Sequence, residues 1–387
     1  MRDYYCNLKF RFLKIDLEAG TTLNCHAAKT HKVNIEWLKK NPGQLFNNEI
    51  SVNERRQMLV NDRNSSCEQN CWPAEDRKQP SPRLYQNGQI RSHFDPITTP
   101  EVFDITVGSD CNLTCSYCCK EYSSAWRRDI LINGNYDMPW SDSRYTASSL
   151  DQVRSKVNQS QRAETQSYRL LLNELALAAP HLKEIVVTGG EPFLNNKVID
   201  ILSNTVSSNC EVQIYTGLKV NYRRLEKMLT KLQAVPNLQI NVSAENIGQL
   251  LEFNRYGLSW SEFDQRVKLL KSLGIKFEFY STLSNLTVHG FADFVQYYND
   301  RDINLTFAYQ PSMMACHVMD DSSKMSVLNS IKSLNQDLVQ KVSQALIPSP
   351  SDQDRQNLKT FLPEFVKRRK NLSLDIFPVS FRNWLEI

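Results

Sequence analysis

Three cysteines stand within eight residues, Cys111, Cys115 and Cys118, in the run Asp110-Cys-Asn-Leu-Thr-Cys-Ser-Tyr-Cys118. The spacing is C-x3-C-x2-C, with Tyr117 just ahead of the last thiol. Three thiolates on one short loop can hold three irons of a [4Fe-4S] cluster and leave the fourth iron open, and an open coordination position separates a catalytic centre from a structural one. A zinc knuckle is the other chemistry open to closely spaced thiols, and packing alone also buries cysteine. Zinc wants a fourth ligand. The adjacent Cys119 is a poor one, because neighbouring residues rarely point at the same metal.

A second motif lies about seventy residues on. Glu184-Ile-Val-Val-Thr-Gly-Gly-Glu-Pro192 reads as a strand that ends in a glycine turn. Glycines let backbone approach a ligand closely, and strand ends are where barrels place their sites. The cysteine run resembles the signature of the radical S-adenosylmethionine (radical SAM) enzymes. Gly189-Gly190-Glu191-Pro192 is similar to that family's GGEP motif. The resemblance implies a cluster on Cys111, Cys115 and Cys118 that binds S-adenosylmethionine (SAM), with Gly189, Gly190 and Glu191 lining its amino group. It implies reductive cleavage of SAM to a 5′-deoxyadenosyl radical that takes hydrogen from a substrate. Ser243 and Glu245, at the end of a later strand, fall where the family often binds the ribose, and Arg255 is placed to reach the SAM carboxylate. An electron donor such as flavodoxin or ferredoxin follows from the same chemistry.

A further cysteine set opens the chain. Cys6 and Cys25 bracket Gly20 as C-x13-G-x4-C, and Cys67 and Cys71 follow as C-x3-C. Four thiolates suit a fully ligated centre, either a second [4Fe-4S] cluster or zinc. The first pair resembles the opening of the SPASM and twitch auxiliary domains of radical SAM enzymes. Arg55-Arg-Gln-Met-Leu59 and Ser81-Pro-Arg83 resemble the later part of such a domain. The pattern departs from those domains in preceding the core and in its wider last pair. Cys119, Cys210 and Cys316 read as buried packing residues.

These motifs need elements to position them. Strand patterns at 102–107, 184–188, 211–216, 237–243, 275–281 and 303–309 alternate with amphipathic segments near 160–179, 195–207, 220–232, 258–273 and 287–299. Alternation of this kind predicts a parallel sheet with right-handed crossovers. The expected fold is α/β, a partial (β/α)6 TIM-type barrel with a small N-terminal cysteine-rich auxiliary module and C-terminal helices. The expected organisation is an auxiliary module over 1–85, a linker over 86–100, the radical SAM core over 101–310 and a helical extension over 311–387. Residues 119–158 form a long aromatic insertion after the triad, suited either to substrate contact or to packing. Residues 320–387 read as two helices and an aromatic tail, with Ser351 as a helix cap and Lys367-Arg-Arg-Lys370 at that helix's end.

Composition sets the remaining bounds. Charged residues make up 23% of the 387 and apolar ones 41%, an ordinary globular mixture. A net charge of +4 gives no argument for nucleic acid. No run of eighteen apolar residues predicts a membrane span, and the first residues lack the apolar core of a signal peptide. Ten cysteines, mostly in motif-like spacings, favour metal binding over disulfides. A reducing cytoplasm, that of a host cell if the chain is virus-encoded, is the expected compartment. The expected substrate is a peptide or protein side chain. A nucleotide or other small metabolite is a second reading, and a non-catalytic iron–sulfur or zinc protein a third.

Overall fold

The computed structural model describes residues 4–88, 95–160 and 165–387. The expected linker 86–100 and the expected segment 160–179 each lie partly outside them. The chain divides into two compact units. One comprises Met1–Gly108, Arg162–Ile214 and Lys227–Gln239, the other Ser109–Gln161, Tyr215–Glu226 and Ile240–Ile387.

In the first unit, Val102–Thr106, Glu184–Thr188 and Glu211–Thr216 run parallel, with Val102 opposite Glu184 and Glu184 opposite Glu211. These segments are rich in Val, Ile and Thr, which fit a pleated sheet. Their alternation decides which face is which. Phe103, Ile105, Ile185, Val187, Val212 and Ile214 are buried on one side. Asp104, Thr106, Glu184, Thr188 and Gln213 take the other, so the sheet keeps one polar face. Helices Gln166–Ala178 and Asn196–Thr205 bury Leu171, Leu175, Val198, Ile199 and Leu202 in the same unit.

Phe12–Asp16 belongs to this sheet as well. It pairs in parallel with Val102–Thr106, Phe12 opposite Val102, and then turns antiparallel onto Thr21–Leu23. Residues from 1–85 and from 101–310 therefore share one hydrogen-bonded sheet. The same sheet face continues through Phe12, Lys14 and Asp16 in register with Val102, Asp104 and Thr106.

In the second unit, Phe277–Leu283 pairs in parallel with Asn237–Ser243 on one side and Ile303–Phe307 on the other. The whole is α/β with mostly parallel strands and many helices, as expected of a partial TIM-type barrel. The C-terminal part holds four helices rather than the two expected: Asp321–Ser330, Gln336–Leu346, Asp352–Lys367 and Val379–Leu385. Asp320 and Asn335 side chains cap the first two; Asp321–Ser330 has little apolar periodicity, whereas Gln336–Leu346 carries Val342 and Leu346 on a buried stripe. Ser351 caps its helix by accepting from the Asp354 N–H, as predicted. Phe377 and Phe381 are buried, and Phe377 packs edge-on to Phe253 with ring centres 5.0 Å apart. Among the described residues no helix is long and apolar enough to cross a membrane.

Candidate active site

The cysteine loop of the second unit is held by backbone on several sides. Thr114–Cys115 forms a two-residue antiparallel pairing with Arg255–Tyr256, Cys115 opposite Arg255. The Ser116 N–H donates to Asn254 O at 2.8 Å, and the Ser116 hydroxyl to Asn254 Oδ1 at 2.8 Å. The Trp126 indole N–H donates to Cys115 O at 3.0 Å, and that carbonyl also accepts the Cys118 N–H at 3.0 Å. Gly257 closes the loop from outside. Its φ is +105°, and a Cβ there would stand 2.8 Å from Asn112 O. Only glycine combines that dihedral with so close an approach.

Three thiols thus emerge from one fixed loop. Cys115 is buried, and Cys111 and Cys118 are partly exposed. Burial pushes the Cys115 thiol up to about 12, while the Arg255 charge pulls it down. Burial and then the neighbouring Cys115 sulfur hold Cys118 well above the usual thiol range. Cys111 raises both Cys115 and Cys118, and Cys115 raises Cys118, an arrangement that a cation would relieve, because metal ligation removes the thiol proton outright. The Leu113 N–H already points at Cys111 Sγ at 3.4 Å. The donor set fits an iron–sulfur cluster.

Beside the loop, Glu245 is fully buried and its oxygens are committed. It accepts from Arg255 Nε at 2.9 Å, the Tyr117 hydroxyl at 2.9 Å and the Thr282 N–H at 3.1 Å. The Arg255 guanidinium also lies 5.7 Å from the centre of the Tyr117 ring. The structure brings Cys111, Cys115, Cys118, Tyr117, Glu245 and Arg255 into one neighbourhood. Ser243 ends its strand opposite Tyr280.

The aromatic insertion is mainly core. Trp126, Tyr136 and Tyr145 are buried, and the two tyrosine rings meet Phe361 of Asp352–Lys367 at 5.0 and 4.9 Å. Tyr122 and Trp140 stay exposed. The basic run at the helix end is more than a match for the helix dipole. Arg368 Nη1 reaches Asp129 at 3.2 Å. Arg369 donates to Thr114 Oγ1 at 3.0 Å and to the Tyr136 hydroxyl at 2.9 Å, with its guanidinium over the Trp126 ring. Arg369 and Gly257 support the cysteine loop, yet the sequence reading singled out neither for it. Gly257 follows Arg255 by two residues, and a glycine so close to a candidate site was the available signal.

In the first unit, Gly189 adopts φ +138°, and a Cβ there would stand 2.7 Å from Gly108 O and 2.8 Å from Val107 Cγ2. The Gly190 N–H donates to Gly108 O at 2.8 Å. Glu191 is buried and caps the following turn, accepting from the Phe193 N–H at 3.2 Å. The turn is glycine because two strand ends meet backbone to backbone.

The N-terminal thiols converge in the same unit. Cys6, Cys67 and Cys71 share an apolar cluster with Tyr5, Phe10, Met58 and Trp72, and Cys25 is buried too. Burial and then Cys25 push the Cys6 thiol up to about 11. Burial raises Cys25, and the Cys71 sulfur adds to it. A hydrogen bond from the Cys67 thiol lowers Cys71 to about 6. Each of the four feels at least one other, so the donor set has the chemistry of a thiolate-ligated centre. Among the described residues no three Cys, His, Asp or Glu side chains stand at single-ion distances. Cys119, Cys210 and Cys316 are buried, in keeping with packing roles.

A family model described as the Radical SAM superfamily matches residues 105–298. No curated protein matches the chain in sequence. Among solved structures, native anSMEcpe with bound AdoMet is similar at 13% identity and a TM-score of 0.32, over 54% of this chain and 51% of that one. The same protein with AdoMet and Cp18Cys peptide gives 12% identity and a TM-score of 0.35, over 62% and 61%. Streptococcus suis SuiB bound to S-adenosylmethionine gives 13% and 0.31, over 76% and 62%. The chain thus spans about half the length of the first of these, 51%. The family match covers half of the 387 residues and includes both the cysteine loop and the glycine turn. The chain belongs to the radical SAM superfamily.

Proposed function

We propose that this chain is a radical SAM enzyme whose substrate is a peptide or protein side chain. The observation that carries the reading is the cysteine loop: three thiols on one short hydrogen-bonded turn, inside the matched region. Cys111, Cys115 and Cys118 would hold a [4Fe-4S] cluster. When bound, it supplies the electron that divides SAM into methionine and a 5′-deoxyadenosyl radical.

The chain's own residues do the orienting. Gly189, Gly190 and Glu191 line the SAM amino group, on a turn whose shape the close approach of Gly189 to Gly108 sets. Arg255 takes the SAM carboxylate. Ser243 and Glu245 serve the ribose side. Glu245, with its oxygens already engaged, contributes chiefly by fixing Arg255 and Tyr117. Buried Trp126, Tyr136 and Tyr145 back the loop and keep water from it.

Cys6, Cys25, Cys67 and Cys71 hold an auxiliary [4Fe-4S] cluster, with zinc as the alternative. The likeness of their spacing to twitch and SPASM modules agrees with a peptide substrate, and a nucleotide or other small metabolite is the second reading. A flavodoxin or ferredoxin is the fitting electron donor.

Anaerobic reconstitution with iron and sulfide, followed by reduction with SAM present, should yield 5′-deoxyadenosine. A variant with Cys111, Cys115 and Cys118 all replaced by Ala should lose one cubane's iron and all SAM cleavage. Full cleavage by that variant sinks the assignment.

A further inference from the structure

We propose that the cavity beside Asp104, on the polar strand face of the first unit, is a substrate subsite for a cationic hydrogen-bond donor, an ammonium or guanidinium group. The inference rests on the enzyme reading for the word substrate, while its geometry uses none of the cysteines.

The cavity holds about 400 Å³. Its floor is the polar face itself, through Phe12, Asp104, Glu184 and Val186, and its wall includes Arg11 and His26. The register explains why these residues meet. Lys14 lies opposite Asp104, and Asp104 opposite Val186, on strands one sheet spacing apart. The space suits one amino-acid side chain with its adjoining amides, the scale of small polar-walled ligand pockets.

Asp104 is the centre of the argument. It is 6% exposed. Its Oδ2 accepts from Lys14 Nζ at 3.1 Å and lies 3.7 Å from His26 Nδ1, but its Oδ1 is buried with no hydrogen-bond partner. A buried carboxylate oxygen without a donor is costly, and such atoms in a native fold call for an explanation. A ligand donor at Oδ1 supplies one.

The surrounding charge favours a cation over a neutral donor. Glu184 stands in the same cavity, and its carboxyl is raised by burial first and then by Glu211, with Asp104 adding to the effect. A second carboxylate in the same small space, only partly offset by Arg11, favours a cationic guest. The nearby cations are mostly occupied. Arg11 Nε is bonded to Glu101, and Lys14 covers one oxygen of Asp104. Burial lowers His26, which keeps it neutral at pH 7. Phe12 and the His26 ring, 4.2 Å apart, give an apolar flank for the stem of a lysine or arginine side chain.

The test is calorimetric titration of the anaerobically reconstituted protein with Nα-acetyl-L-lysine amide and Nα-acetyl-L-arginine amide. Nα-acetyl-L-norleucine amide is the neutral control. At least one cationic probe should bind, with the control weaker by about tenfold or more. The two arms tell ammonium from guanidinium. Asp104→Asn should weaken the cationic probe by about tenfold. Lys14→Met should tighten it, because the internal cation competing for Asp104 is gone, and a damaged fold cannot mimic a gain. Equal binding of the norleucine control, absence of cation binding, or a weaker Lys14→Met complex each overturns the subsite. Formation of 5′-deoxyadenosine in the same preparation reports separately on the enzyme reading. Binding without SAM cleavage leaves the subsite standing and removes the enzyme, and cleavage without binding does the reverse.

Discussion

The two cysteine sets are supported by the same kinds of residue but assembled in opposite ways. Each has a buried tryptophan whose indole N–H donates to a backbone carbonyl of the cysteine region: Trp126 to Cys115 O at 3.0 Å, Trp72 to Asn64 O at 2.7 Å. In each, an arginine lies over that ring, Arg369 at 4.9 Å and Arg83 at 5.0 Å. Each also has a buried ion pair nearby, Arg255 with Glu245 and Arg83 with Glu75. The triad, however, comes from one loop, whereas Cys6, Cys25 and the Cys67–Cys71 pair come from three separate places in the chain. Geometry preset by a loop leaves little ordering for the metal to do. Geometry gathered from distant segments makes the metal part of the fold.

The largest test of that contrast removes ligands from the gathered set. Cys67→Ala with Cys71→Ala should lose the auxiliary metal, about four irons if it is a cubane. Limited proteolysis should then cut residues 4–88 faster while Ser109–Ile387 keeps its wild-type pattern. Loss of zinc instead of iron identifies a zinc site. Unchanged metal content together with unchanged proteolysis removes the site altogether.

How legible each set was in the sequence follows the same division. Cys111, Cys115 and Cys118 can be read because their chemistry is local, and Gly189-Gly190 because the turn follows its strand at once. The six predicted strands between Val102 and Phe307 fall close to their limits because β-branched runs alternate with polar residues and end at turn residues. What escaped is what contact over distance creates. Phe12–Asp16 shows only five residues of pattern, and its place beside Val102–Thr106 depends on pairing across ninety positions. Arg369 meets Thr114 from 255 residues away. The aromatic insertion read equally as a binding loop or as packing, because Trp126, Tyr136 and Tyr145 have no core until Phe361 and Phe365 arrive.

A smaller effect should come from the outside wall of the triad. Gly257→Ala places a methyl against Asn112 O, where the Cβ contact is 2.8 Å at φ +105°. The strain should cost about 1–3 kcal/mol. Asn112 sits between Cys111 and the rest of the loop, so cluster iron should fall below one cubane while the auxiliary metal stays. Denaturant unfolding and iron analysis read both quantities. Wild-type iron with wild-type stability contradicts the view that the loop's shape is fixed by this contact.

The finest test compares the two tryptophans directly. Trp126→Phe and Trp72→Phe each delete one indole hydrogen bond and keep a ring. In both cases the carbonyl left behind retains a second donor, the Cys118 N–H at 3.0 Å for Cys115 O and the Cys67 N–H at 3.2 Å for Asn64 O. Neither variant strands a buried acceptor, so each should lose only about 0.5–1.5 kcal/mol in unfolding. Phe also attracts the stacked arginine less strongly than Trp does, which pushes both values toward the upper end. The stability losses should therefore match, and the metal should tell the variants apart. Cys111, Cys115 and Cys118 remain on their loop when Trp126 is shortened, so the triad should release iron to a chelator at close to the wild-type rate. Trp72 packs in the cluster that brings Cys6 to Cys67 and Cys71, so Trp72→Phe should release the auxiliary metal several times faster. Equal acceleration in both variants means that the triad, too, is held by its distant support rather than by its loop.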